Sequence, residues 1–158
     1  MSLVVMGIDP GSQVTGYGVI TMANRDSVQF IAAGVVRASR QASFFERIKH
    51  IYDEMTVLMD SHQPDEVALE DIFYARNIRS SLQLGQARGA AILAALNAGK
   101  PVSAYAPRDI KMALTGNGAA AKEQVQYMVE QILNCSMSGF PLDASDALAI
   151  ALCHGFRK

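Results

Sequence analysis

The sequence predicts an α/β fold: a mixed five-stranded sheet flanked by helices on both faces. Two observations predict it. The first 37 residues read as three strands folding back on one another, with only short turns between them. After them, short apolar runs alternate with stretches of helical periodicity, the mark of strands joined through helices.

The first strand is Leu3 to Asp9, an almost uninterrupted apolar run that ends in a carboxylate. Pro10-Gly11 then supplies turn chemistry. Thr15 to Met22 returns antiparallel, and Gly16 and Gly18 within it signal a close backbone approach or a local irregularity. Asn24-Arg25-Asp26 turns the chain into a third strand, Val28 to Arg37, with Gly34 as a bulge candidate. Ser43 and Glu46 form a capping-box pattern. Beyond them Phe45, Ile48, Ile51, Tyr52, Met55, Leu58 and Met59 recur at helical spacing until about His62, and Pro64 confirms the stop.

Glu66 to Leu69 is a short buried strand tipped by Glu70, which repeats the opening design. A polar, basic connection over 74–80 follows. Ser80 or Ser81 opens a long Gly- and Ala-rich helix to about Ala98, suited to close packing in the core or along a dimer seam, with Gly99 as its C-cap candidate. Val102 to Ala106 is the fifth strand. Pro107 starts a short helix carrying Arg108, Lys111 and Leu114, and Gly116-Asn117-Gly118 is a loop. Lys122 to about Leu133 is the next helix, and Asp143 caps or opens the last one, with Leu148, Ile150 and Leu152 in the core. This order is the pattern of the ribonuclease H-like fold. With no internal repeat or linker, residues 1–158 read as a single domain.

Composition narrows the function. Half the residues are apolar and 18% are charged, as in ordinary globular proteins. No run is apolar enough to span a bilayer and no secretion signal opens the chain. Cys135 and Cys153 lack metal-type spacing and read as reduced core thiols, which points to the cytoplasm. The net charge of −1 hides an asymmetry: residues 71–122 hold seven basic side chains (Arg76, Arg79, Arg88, Lys100, Arg108, Lys111, Lys122) against Asp71 and Asp109. Such a segment can form a positive surface on a nearly neutral protein.

Asp9 alone is explicable as an acceptor for turn amides. Asp143 and Asp146, three apart on a helix, are alone explicable as dipole-favoured acids in a first turn. Glu70 changes the balance, because adjacent parallel strands would bring Asp9 and Glu70 to the same sheet edge. Four converging carboxylates repel unless cations neutralise them, and oxygen-only ligands suit Mg²⁺ or Mn²⁺ rather than zinc. Two such ions about 4 Å apart activate water and stabilise the leaving oxygen of a phosphodiester. His50, His62 and His154 fall on predicted helices with no catalytic pattern; His62 and His154 read as capping or surface residues. No convincing serine triad, Walker loop or dinucleotide fingerprint is present.

Four blocks then carry a resemblance: Gly7-Ile8-Asp9-Pro10-Gly11-Ser12 with Thr15-Gly16-Tyr17-Gly18; Leu69-Glu70-Asp71-Ile72-Phe73; Leu84-Gly85-Gln86-Ala87-Arg88-Gly89; and Asp143-Ala144-Ser145-Asp146-Ala147-Leu148-Ala149. In this order and spacing the chain resembles the RuvC family of bacterial Holliday junction resolvases. The resemblance implies a metal-dependent endonuclease that acts as a homodimer on four-way DNA junctions in recombination and repair, alongside the RuvA–RuvB branch-migration complex. It implies symmetric cuts in two strands of like polarity. Asp9, Glu70, Asp143 and Asp146 match the family's catalytic carboxylates, expected to hold two Mg²⁺ ions, with Mn²⁺ as a substitute. Phe73 matches an aromatic residue that works at the junction's open centre, and Lys111 and Lys122 match positions used for DNA phosphates or transition-state charge. Arg76 is a further DNA-binding candidate in the same basic connection.

Two features depart from the family pattern. Asp71 adds an acid beside Glu70, and strand alternation points it away from the metals. The sequence given stops at Arg157-Lys158 without an extended basic tail, which is expected to weaken DNA affinity or its salt dependence. The competing reading is a nucleotide-binding module of the actin/sugar-kinase type, which also opens on a strand, an Asp and a Gly-rich turn but needs a second lobe. A catalytically silent junction-binding protein of the same fold is the other, and the four acids argue against it.

Overall fold

In the computed structural model, residues 1–71 and 77–158 are described. Strands β1 (Leu3–Asp9), β2 (Val14–Asn24) and β3 (Ser27–Arg37) form an antiparallel meander. Helix α1 (Phe44–His62) leads to β4 (Glu66–Glu70), which pairs parallel to β1. Helix α2 (Ile78–Asn97) leads to β5 (Val102–Tyr105), parallel to β4. Helices α3 (Pro107–Thr115), α4 (Lys122–Leu133) and α5 (Leu142–Phe156) complete the chain. The sheet order is β3-β2-β1-β4-β5, a mixed five-stranded sheet as the sequence predicts.

Strands β1, β3, β4 and β5 all run one way. Their C-terminal ends, Asp9, Arg37, Glu70 and Tyr105, therefore share one sheet edge. Alternation sorts the two faces. Met6, Ile8, Val67 and Leu69 pack against α1 and α2, while Val5, Ile20 and Ala68 pack with α3, α4 and α5. Asp9 and Glu70 have the same parity as Val5 and Ala68, so both face α5. Asp71 has the opposite parity and pairs with Arg88 of α2 at 3.3 Å.

Helix α5 is apolar all round, and such a helix is stable only when covered on every side. Every residue from Ala147 to Gly155 is buried, against the sheet on one side and α3 and α4 on the other. This corrects the reading of His154 as a surface residue. Its ring is fully buried, with Nδ1 2.7 Å from the Tyr105 hydroxyl and Nε2 2.5 Å from Glu66. Lys158 in turn pairs with Glu66 at 2.8 Å, and Arg157 with Asp109 at 3.2 Å, so the last two residues fold back onto the body. His154→Ala takes a buried partner from both Tyr105 and Glu66, and among the described residues Glu66 keeps only Lys158. The expected cost is about 1–3 kcal/mol in unfolding free energy, read by denaturant titration.

Local signals mostly act as expected. Ser43 and Glu46 make a reciprocal capping box on α1, and Gln63 in the left-handed region ends that helix just before Pro64. Helix α2 starts earlier than expected, because Asn77 rather than Ser80 or Ser81 caps it: the Asn77 side chain accepts from the Ser80 amide at 2.8 Å. Helix α5 follows Pro141, which puts Asp143 inside the first turn and not at the cap. The β3 irregularity falls at Ile31, between the Val19–Ala32 and Ile20–Phe30 pairs, not at Gly34. Gly34 instead makes room for the Tyr17 ring, where a Cβ would come within 2.8 Å of the hydroxyl. Cys153 is buried, Cys135 half-buried, and both are free thiols. Among the described residues, no helix is long and apolar enough to cross a membrane.

Candidate active site

The site begins with how closely α5 lies on the sheet. A Cβ on Gly7 of β1 would sit 2.0 Å from the Ala147 carbonyl oxygen. A Cβ on Gly16 of β2 would sit 2.0 Å from the Asp143 carbonyl oxygen. Only hydrogen fits at either position, so these two glycines set the depth at which α5 seats. Gly16 also pairs with Asp9 across the β1–β2 ladder. The first turn of α5 is thereby held over the end of β1.

The result is a tight acidic cluster. One carboxylate oxygen from each of Asp9, Asp143 and Asp146 lies within 4.8 Å of the others. Glu70 stands outside this trio but lines the same cleft, with Pro107, Ile110, Lys111, Lys122 and Asp146; the cleft holds about 210 Å³. The electrostatics follow from burial and crowding. Burial first, then the charges of Asp146, Asp143 and Glu70, push the Asp9 carboxyl up to about 8. Burial and the Asp146 charge also raise Glu70, against the opposing pull of Lys111 and Lys122. Burial raises Asp146, while its hydrogen bond to Lys122 works the other way. The Lys122 ammonium lies 3.0 Å from Asp146, and that bond holds its own pKa above the ordinary lysine value.

These residues fit a divalent cation. The donors are all oxygens, they converge from a strand end and a helix start, and they repel one another with one lysine in direct contact. Without a cation, burial and the neighbouring charges favour the protonated form of the Asp9 carboxyl. A hard cation with oxygen ligands would relieve the repulsion.

The sequence candidates divide into three groups. Asp9, Asp143 and Asp146 meet directly, and Glu70, Lys111 and Lys122 line the adjoining cleft. Phe73 and Arg76 lie outside the described residues. The basic segment 71–122 is not one surface. Arg88 is paired with Asp71, and Lys100 precedes β5 at the opposite sheet edge, where it reaches Gln63.

A family model described as crossover junction endodeoxyribonuclease RuvC matches residues 5–154. The chain belongs to the RuvC family. A RuvC of Chlorobium phaeovibrioides is 45% identical over 151 residues, spanning 96% of this chain and 80% of that one. A RuvC of Tolumonas auensis is 47% identical over 154 residues, with 96% and 86% covered. Among solved structures, T. thermophilus RuvC in complex with a Holliday junction substrate superposes with a TM-score of 0.92 at 39% identity, covering 98% of this chain and 94% of that one. The yeast mitochondrial Holliday junction resolvase Ydc2, at 14% identity and a TM-score of 0.64, shares the fold alone. The sheet and helices are thus those of RuvC, the ribonuclease H-like architecture that the element order predicts.

One contributor to this RuvC site, Gly7, carries no chemical group that marks it. Gly7 looks like an ordinary interruption of an apolar strand until α5 is seen lying against it. Arg37 sits in a part of the chain whose overall charge is acidic, and the topology brings it to the sheet edge that carries Asp9.

Proposed function

We propose that this RuvC-family chain is a Mg²⁺-dependent endodeoxyribonuclease that resolves four-way DNA junctions by paired, symmetric cuts. The observation that carries the reading is the convergence of Asp9, Asp143 and Asp146, the last of which also lines a cleft with Glu70, Lys111 and Lys122. Bound Mg²⁺ supplies Lewis-acid stabilisation of the phosphodiester and a water activated for attack. The four carboxylates would hold it, and Asp9 gives up its proton as it does so. Lys122 keeps a positive charge beside Asp146, where it can meet a phosphate entering the cleft. Lys122→Ala is expected to slow single-turnover junction cleavage by about 100-fold, the scale of losing one positioned donor to a charged transition state.

Paired cutting needs two sites in fixed relation, which a two-fold dimer supplies. Helix α2 offers a self-complementary face for one. Ile78, Leu82, Leu93 and Leu96 are all at least half exposed on it. Gly85 and Gly89 lie between them, where an added Cβ would meet nothing within 4 Å. These six positions recur at three- and four-residue spacing, as a helix–helix seam requires. Leu82→Glu in that seam is expected to yield monomers in analytical ultracentrifugation and to uncouple the paired cuts. The same reading puts the protein in the cytoplasm, working with a RuvA–RuvB complex.

The test compares a synthetic four-way junction, a linear duplex and ATP, each with Mg²⁺ or EDTA. Paired Mg²⁺-dependent nicks confined to the junction are expected. ATP turnover without nicking would favour the nucleotide-binding alternative and sink this one.

A further inference from the structure

We propose that the corner between β3 and α1, through Arg37, Arg40 and the exposed ring of Phe45, is a second DNA-contact surface on the side of the carboxylate cluster opposite Lys111 and Lys122. It rests on the nuclease reading above and extends it to residues that neither the resemblance nor the acidic cluster assigns.

The placement follows from topology. Arg37 ends β3 opposite Val14, and the Ala38 amide donates to the Gln13 carbonyl, so this corner lies against the β1–β2 turn that follows Asp9. Val36 is buried on the α1–α2 side of the sheet, so alternation turns Arg37 to the α5 side, the side of the carboxylates. Strands neighbour at about 4.8 Å, so β3 passes roughly 10 Å from β1, a span of about three nucleotides at the axial rise of one DNA strand. Lys111 and Lys122 line a cleft with Glu70, which ends β4 on the other side of β1 from β2 and β3. A strand whose phosphate sits at the cluster must therefore leave across one flank or the other, and cations stand on both.

The chemistry of the corner is that of a nucleic-acid contact. Residues 37–47 hold Arg37, Arg40 and Arg47 against the single acid Glu46, whose carboxylate is engaged in the Ser43 capping box. Arg37 and Arg40 are exposed, and neither has an ion-pair partner among the described residues. Arg47 covers the Phe44 ring at 5.8 Å, whereas Phe45 beside it is 83% exposed. An aromatic ring left in water five residues after Arg40 suits a backbone with accessible bases, such as the unpaired nucleotides of an open junction.

The experiment measures junction and linear-duplex binding in EDTA across a salt series, for wild type, the Arg37→Gln/Arg40→Gln double variant and Phe45→Ala. Thermal melting and sedimentation of each protein establish that fold and oligomeric state are kept. The double variant is expected to reduce the slope of log affinity against log salt by about two, the signature of two lost phosphate contacts. Phe45→Ala is expected to weaken junction binding more than duplex binding at an unchanged slope. An unchanged slope in the double variant overturns the proposal, as does a Phe45→Ala protein that binds both DNAs as wild type does. A wild type that binds no junction at any salt sinks the nuclease reading, and this surface with it.

Discussion

Asp9→Asn is expected to abolish junction cleavage while stabilising the metal-free protein. The first half follows from position. Asp9 is the strand-end member of the trio whose oxygens lie within 4.8 Å of one another, and its loss removes the ligand that faces the other acids. Metal-assisted hydrolysis draws several kcal/mol from its ligand set, so a loss of at least about 1,000-fold in rate is expected. Junction binding should largely survive, because Asn keeps the size of Asp and adds no charge. The second half follows from the proton. The Asp9 carboxyl is raised from 3.8 to about 8, so between those values the folded chain holds a proton that the unfolded chain has released. Metal-free stability therefore declines as pH rises through that window, and the penalty is absent below the unfolded value. Asn carries no charge and escapes it. In EDTA, unfolding free energy from denaturant titration between about pH 5 and pH 8 should fall more steeply for wild type than for the variant, with a gap on the order of a few kcal/mol at the alkaline end. Parallel curves would mean that Asp9 is not the strained member of the cluster.

Gly16→Ala is expected to destroy the site through the backbone alone. The added methyl would sit 2.0 Å from the Asp143 carbonyl oxygen and 2.4 Å from its carbonyl carbon, and neither belongs to a flexible side chain that could swing away. Either β2 or the first turn of α5 must give. Overpacking of this kind costs about 1–3 kcal/mol, and more where backbone meets backbone. The displaced turn carries Asp143 and Asp146, so the geometry is lost with no acid touched. The variant is expected to melt lower and to lose cleavage while still binding junction DNA at temperatures where it remains folded. Cleavage at the wild-type rate would show that α5 can shift without moving the carboxylates.

What could be read from the chain, and what could not, divides along physical lines. The sheet was legible because apolar runs, turns and helical periodicity are local properties. Asp9 and Glu70 could be paired because parallel strands bring their ends to one edge, and Asp143 with Asp146 because helical spacing puts them on one face. The Asp71 carboxylate points away from the cluster, as strand alternation predicts, and its pairing with Arg88 is added by the fold. His154 was misread because its burial depends on α3, α4 and the sheet enclosing α5, which its neighbours in sequence do not report. Asn77 was overlooked because two serines close behind it offer the same capping chemistry. Arg37 was hidden for a related reason: charge counted along the chain averages it into an acidic background, while the edge it occupies is set by strand order.

Manganese binding tests most directly whether the chain is built around a metal site at the end of β1. Titrate Mn²⁺ into wild type, Asp9→Asn and Asp146→Asn near neutral pH, following free ion by electron paramagnetic resonance and proton release in parallel. The expected result is saturable uptake by wild type with release of close to one proton from Asp9, weakened uptake by both variants, and no such proton from Asp9→Asn. Equal uptake by wild type and Asp9→Asn, with no proton released, would contradict it.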